Sequence, residues 1–194
     1  MVVDANGDTL TRNQAVRRER VIKAAMELAT EGGYDAVQMR DVAARAHVAL
    51  GTIYRYFASK DHLLAATLVE FARDIQARLV RQPPRGSTGA DRTVDVVRRA
   101  MRAIERQPGL GKAMVTAISS PDPAVTGCQA EMSTIMVQLL SEPMGDVDPD
   151  RQLRIVTVLA HVWFSALLGW VNEWTNVRDV GDELESAIRL LLPD

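Results

Sequence analysis

The sequence predicts an all-α fold of about nine helices, and three observations carry that expectation. No stretch alternates apolar and polar residues between turn signals, so no sheet is expected. Apolar residues instead recur at intervals of three and four, the period of a helix face. Clusters of glycine and proline cut these segments into lengths suited to packed helices.

The elements follow in chain order. Residues 1–11 are expected to be a disordered tail. From Arg12 to Thr30, Val16, Val21, Ala24, Ala25 and Leu28 keep helical spacing, and Gly32-Gly33 is the stop. Met39, Val42 and Ala43 line a short helix ending near Ala46, and Ala46-His47-Val48-Ala49 is long enough only for a turn. Val48, Ile53, Tyr54 and Phe57 give the next short helix its apolar side, while Arg40, Arg45, Thr52, Arg55, Tyr56 and Lys60 point outward. Two short helices at a steep angle, basic on the outside, make a helix-turn-helix. Ser59 is a good N-cap with Asp61 behind it, opening a helix through Leu64, Leu68, Phe71, Ile75 and Leu79 to about Arg81. Gln82 to Asp91 reads as a loop. Helices over Asp91–Arg106, Leu110–Ile118, Val125–Leu140, Asp150–Trp174 and Val180–Leu192 complete the chain, with Pro108-Gly109, Pro121, Pro123, Pro143 and Gly145 as breaks.

Charge is unevenly spread over the 194 residues, whose formal net charge is −2. Residues 10–60 hold nine Lys/Arg against five Asp/Glu, and the rest fourteen against twenty. A basic front on an acidic body suits a nucleic-acid-binding module joined to something else. Cys128 is the only cysteine, so no internal disulfide can form and a reducing cytoplasm is expected. The first residues carry acids and no apolar run, unlike a secretory signal. The run Ile155–Val171 is apolar but slightly short of the ~20 residues that span a bilayer, and reads as a buried helix.

The run Gly51-Thr52-x-Tyr54-x-Tyr56-Phe57-x-Ser59-Lys60-x-x-Leu63-Leu64 resembles the signature of the TetR family of bacterial repressors, over about residues 17–70. Gln38 and Ala49 stand where that family more often has Thr and Ser, hydroxyl residues that can cap a helix and touch phosphate. Within the family, residues 32–40 and 161–170 resemble the KstR-type repressors of actinobacterial sterol catabolism. The resemblance implies a DNA-binding domain over 12–58 and an effector-binding and dimerisation domain over 59–194. It also implies a homodimer reading a palindromic operator, since one recognition helix reads too few base pairs and two sit ~34 Å apart. Arg17, Arg40, Gly51, Thr52, Tyr54, Arg55, Tyr56 and Lys60 are the candidate DNA contacts, with Arg12, Arg18 and Arg20 also in reach of a backbone.

The segment from Asp150 carries two neighbouring apolar stripes. One holds Leu153, Val156, Ala160, Trp163, Leu167, Trp170 and Trp174, the other Ile155, Leu159, Val162, Ala166 and Gly169. A surface helix of a monomer needs one, so the second is expected to face a partner copy. Leu153, Val156, Ala160, Leu184, Ile188 and Leu191 are the expected dimer residues. Met101, Ile104, Met114, Ile118, Met132, Met136 and Leu139, with Trp163, Leu167 and Trp170, are expected to enclose an apolar effector, methionine being unbranched and adaptable. The KstR likeness makes that effector a steroid acid or its coenzyme A thioester.

Other chemistries lack their residues. Asp146, Asp148 and Asp150 begin like a calcium loop, but Arg151 replaces the required glycine and Thr157 the closing glutamate, leaving a helix-capping acidic loop. Gly111-Lys112 lacks the flanking residues of a phosphate loop. His47, His62 and His161 are scattered, and His161 is expected in a core or pocket rather than on a metal. No catalytic set, cofactor or metal is expected. The alternatives are a small-molecule-binding helical protein whose front module contacts another protein, and an enzyme on a helical scaffold.

Overall fold

The computed structural model describes residues 11–192, so the tail expected over residues 1–11 lies outside the described residues except at Thr11. Among the described residues there are nine α-helices, two short 3₁₀ turns and no strand. The helices are α1 (Arg12–Ala36), α2 (Met39–Ala46), α3 (Leu50–Tyr56), α4 (Lys60–Arg81), α5 (Gly89–Glu105), α6 (Pro108–Ile118), α7 (Thr126–Ser141), α8 (Pro149–Val171) and α9 (Val177–Leu191). They gather into two compact units. One takes the chain up to Glu70 together with Gln107–Gln129, and the other takes Phe71–Arg106 and the residues from Ala130 on.

Helix starts follow their capping residues. Thr11 and Gln14 form a capping box at α1, and Thr88 and Asp91 form another at α5. Ser59 caps α4 as its sequence suggests, its Oγ accepting the His62 amide at 3.0 Å. Asp148 caps α8 by accepting the Arg151 amide at 3.0 Å, which is the use found for the acidic run. Gly33, at φ 69°, breaks the regular geometry of α1 where the glycine pair predicts a stop, although helical hydrogen bonding resumes to Ala36. Gly109 is different. Expected as part of a break, it lies inside the first turn of α6 behind Pro108, where proline's missing N–H costs nothing. A Cβ there would come within 2.9 Å of the Ala29 carbonyl oxygen, so glycine is what lets α6 lie close against α1.

In the first unit, α1 packs on α2, α3 and α6. Its core includes Val21, Ala25, Val42, Ile53, Phe57, Leu63 and Leu64, each 1% exposed or less. The second unit buries one apolar cluster from α5, α8 and α9, with Val97, Leu159, Leu184 and Ile188 at its centre. Around it run ion pairs between α5 and α9, Arg98 with Asp182 and Glu185 and Arg189 with Asp91 at 3.2 Å, while Arg189 also pairs with Glu185 one turn back on α9 at 3.0 Å. The hydrogen bond from Arg98, followed by that from Arg189, holds the Glu185 carboxyl below its ordinary 4.5. The loop after α4 is tied back by Arg99, which donates to the carbonyls of Gln82 and Pro83 at 2.6 and 3.2 Å.

The long helix corrects two expectations. By length and composition α8 could cross a membrane, with a mean hydropathy of 1.5 over its apolar window. Its inner face is nonetheless core: Ile155, Val156, Leu159, Trp163, Ala166, Gly169 and Trp170 are buried. These come from both predicted stripes, because adjacent stripes on a helix turning about 100° per residue share a seam, and the core takes the seam. Val156, Leu184 and Ile188, expected at a dimer interface, are 2%, 0% and 0% exposed and belong to this protomer's own cluster. The large apolar residues left outside on α8, α9 and their connection are Leu153, Val158, Phe164, Trp174 and Leu190.

Truncating Leu184 to alanine is expected to destabilise the protein by about 2–5 kcal/mol. Val80→Ala, at 81% exposure, should stay within about 0.5 kcal/mol. Urea denaturation of both variants against the parent checks the contrast.

Candidate nucleic-acid interface

The turn between α2 and α3 is built without glycine. His47 adopts the left-handed conformation at φ 53°, ψ 50°, and its amide donates to the carbonyls of Ala43 and Ala44. The Val48 amide reaches Ala43 O at 3.1 Å, closing a Schellman-like end to α2. Gln38 and Ala49 occupy the N-cap positions of α2 and α3 and neither side chain caps its helix. Gln38 instead donates to the Asp35 carbonyl at 3.0 Å.

Helix α3 has seven residues and therefore two sides. Ile53 and Tyr56 face inward at 0% and 2% exposure, while Gly51 and Arg55 are exposed, Tyr54 is 50% exposed and Thr52 half-buried. The two tyrosines thus exchange the sides expected of them. Tyr56 falls three residues after Ile53, so the helical period carries it into the core, where its ring stands edge-on to Phe57. Arg55 lies over the Tyr56 ring, 5.2 Å from its centroid, and donates to its hydroxyl at 3.1 Å. Arg40 is exposed in the first turn of α2, and Arg12, Arg17 and Arg20 are exposed on α1. Arg45 is paired with Glu31 at 2.5 Å.

Two cations expected outside are held by the fold. Arg18 pairs with Glu70 at 3.0 Å and lies 5.3 Å from the Phe57 ring centroid. Lys60 places its Nζ 3.7 Å above the Tyr34 ring centre and donates to the Tyr34 carbonyl at 3.3 Å. Both losses have one cause, since each side chain is held by a partner on the other helix, Arg18 of α1 by Glu70 of α4 and Lys60 of α4 by Tyr34 of α1.

Sequence reasoning missed the polar joint at the start of α4. The Tyr34 hydroxyl donates to Asp61, whose other oxygen accepts from the Ser120 hydroxyl at 2.6 Å. Beside it, Ser59 donates to Asp122 at 2.5 Å, and Asp122 also accepts the Ala124 amide at 2.9 Å. Burial first, and then the Asp61 bond, pushes the Tyr34 phenol up to about 12, so it stays a donor. The Ser59 bond, followed by the Ala124 amide, holds Asp122 below its ordinary range. The side-chain partners lie 27, 59 and 63 residues apart, and no local pattern announces them.

The expected effector residues are divided between the units. Met101, Ile104, Trp163 and Trp170 share the buried cluster of the second unit, with Met136 and Leu167 packed against it, while Met132 is half-buried. Met114 and Ile118 are buried on α6 of the first unit. Leu139 lines a cavity of about 590 Å³ in the second unit, walled by Leu79, Val80, Pro84, Val96, Arg92 and Glu142 among others. His161, expected in a core or pocket, is exposed on α8 at the edge of a shallower cavity with Trp174 and Glu183. Among the described residues no group of His, Cys, Asp or Glu could hold a metal.

An all-helical chain with a basic helix-turn-helix at its front is a helix-turn-helix regulator in architecture. Comparison with known proteins makes this specific. The profile for bacterial regulatory proteins of the tetR family matches residues 21–67, and that for the tetracyclin repressor-like C-terminal domain matches 86–191. The HTH-type transcriptional repressor KstR of Rhodococcus jostii is 38% identical over 189 residues, 96% of this chain and 88% of its own. KstR of Mycobacterium tuberculosis is 37% identical, over 100% of this chain and 89% of its own. Among solved structures, a TetR transcriptional regulator from Rhodococcus sp. RHA1 superposes with a TM-score of 0.84 at 30% identity, over 94% of this chain and 99% of that one. Thermus thermophilus FadR, a TetR-family repressor in complex with lauroyl-CoA, gives 0.67 at 27%, over 90% and 92%. The chain belongs to the TetR family.

One titration in the head has a defined sign. Burial first, and then the Arg18 charge, lowers the His62 pKa from 6.5, with Asp122 opposing. Neutral His62 accepts the Ala58 amide at Nδ1, at 3.2 Å. Below 6.5 the unfolded chain therefore binds a proton that the folded head resists, so stability is full above 6.5 and falls as pH drops beneath it. His62→Asn, which keeps an acceptor and cannot protonate, is expected to lose less melting temperature than the parent between pH 7.5 and 5.5.

Proposed function

We propose that this protein is a transcriptional repressor that binds a palindromic operator as a homodimer and is released by an apolar acyl-CoA or steroid-acid effector. The observation that carries the DNA reading is the outer side of α3, where Gly51, Thr52, Tyr54 and Arg55 stand on a buried backing of Ile53 and Tyr56. Arg40 and Arg17 extend the donors onto α2 and α1, for phosphate contacts. Tyr56 and Lys60 support this surface from within rather than reading DNA. Gly51 suits close approach: a Cβ there would meet nothing in the protein within 4 Å, so the fold itself does not require glycine.

The division of labour follows the family. The head reads DNA, the helices after it hold the effector, and the protein works in the cytoplasm. Similarity to the KstR repressors and to a FadR in complex with lauroyl-CoA supports a thioester effector. Val158, Phe164, Trp174 and Leu190, rather than the residues buried in the core, form the contact with the second copy. The effector acts by binding the DNA-incompetent state better, with a coupling of about 1–3 kcal/mol.

Fluorescence anisotropy against the gene's own promoter fragment tests the reading. Binding should weaken steeply with salt, and Arg55→Ala should weaken it while reducing the salt slope by about one. Gly51→Ala should keep or raise the melting temperature yet weaken operator binding at least tenfold. Absence of binding at low salt would overturn the repressor reading. Phe164→Asp should convert the dimer to monomer in light scattering; an unchanged mass would remove α8 from the interface.

A further inference from the structure

Trp163 lies on the inner face of α8 and is 7% exposed. Its indole Nε1 is sealed from solvent and has no hydrogen-bond partner in the protein, the one such side-chain atom among the described residues. An indole N–H can only donate, and a buried one ordinarily finds an acceptor. The side chains of the buried cluster it belongs to cannot supply a strong one: Met101, Ile104, Leu159, Ala166 and Trp170 among them offer carbon, a thioether and another indole. Phenylalanine would fill much of the same space without leaving a donor stranded. The other two indoles are not in this position, since Trp170 has a partner and Trp174 is 80% exposed.

We propose that Trp163 is a specificity-determining residue of the effector site, donating its indole N–H to a carbonyl oxygen of an otherwise apolar ligand. This rests on the reading that the second unit holds an apolar effector. The surrounding cluster supplies apolar contact, which discriminates weakly between hydrophobes, and the stranded donor supplies the polar requirement. A ligand with the oxygen satisfies the indole, and one without it leaves the donor unpaired, which is the condition under which buried polar groups discriminate strongly. The carbonyl can come from a ring ketone or from an acyl thioester.

Calorimetry on the full chain with two ligand pairs tests this: cholest-4-en-3-one against cholest-4-ene, and lauroyl-CoA against its thioether analogue S-dodecyl-CoA. The parent should prefer the carbonyl member of at least one pair by about tenfold, and the pair that shows it identifies the source. Trp163→Phe should bring that preference to within about twofold and leave the affinity of the carbonyl-free member unchanged. A preference that survives in Trp163→Phe, no preference in the parent, or no binding of any probe overturns the proposal. ¹⁵N-indole spectra of the parent, with Trp170 and Trp174 assigned through their own Phe variants, provide a readout should Trp163→Phe not fold. The remaining signal must move downfield with the carbonyl probe and stay in place with its analogue. Operator titration of the same samples keeps the two readings apart, because it measures repressor behaviour without reference to the indole.

Discussion

The first unit depends on one shared carboxylate. Asp61, in the opening turn of α4, accepts a hydroxyl from Tyr34 at the end of α1 and another from Ser120 beyond α6. Hydrogen bonds to a charged acceptor are the stronger kind, and here two of them converge from segments distant in sequence. Ser59 and Asp122 repeat the arrangement a residue or two away. The result fixes the start of α4, and with it the chain leaving α3, against a framework made of α1 and α6. Phe57 then fills the space behind α3, flanked by the edge of Tyr56, the His62 ring and the Arg18 guanidinium.

Much of this was legible in the sequence where the physics is local. The helix-turn-helix limits, the Ser59 cap, the Asp148 cap and the stop after Arg81 follow from neighbours within a few positions, whereas the glycine pair at 32–33 gives a kink and not the expected stop. Misreadings occurred where the outcome depends on distant partners. Tyr54 and Tyr56 differ little as residues: the helical period puts Tyr56 on the side of Ile53, and that side is the inner one because the rest of the unit packs there. Arg18 and Lys60 look like free cations until Glu70 and Tyr34 are brought beside them. Gly109 resembles a break because its true constraint, the Ala29 carbonyl, lies eighty positions upstream.

The second unit shows how far periodicity can be taken. Apolar spacing correctly marks α8 as unusually rich in hydrophobic residues, but spacing alone does not say which arc faces the protomer's own core. The core took residues from both stripes and left Val158 and Phe164 on the outer edges. The α5–α9 ion pairs are exposed and individually weak, yet Glu185 is shared by two arginines and Arg189 by two carboxylates, which aligns the helices over the apolar cluster.

The left-handed backbone at His47 has a consequence for kinetics. A histidine there has few alternative conformations of similar energy once the Ala43 and Ala44 carbonyls hold its amide, whereas a glycine would retain more freedom. The angle between α2 and α3 is therefore set before any encounter, and little ordering is left to be done on contact. Exposed cationic side chains around a surface so preorganised attract any polyanion that approaches it, and that attraction weakens as ionic strength rises.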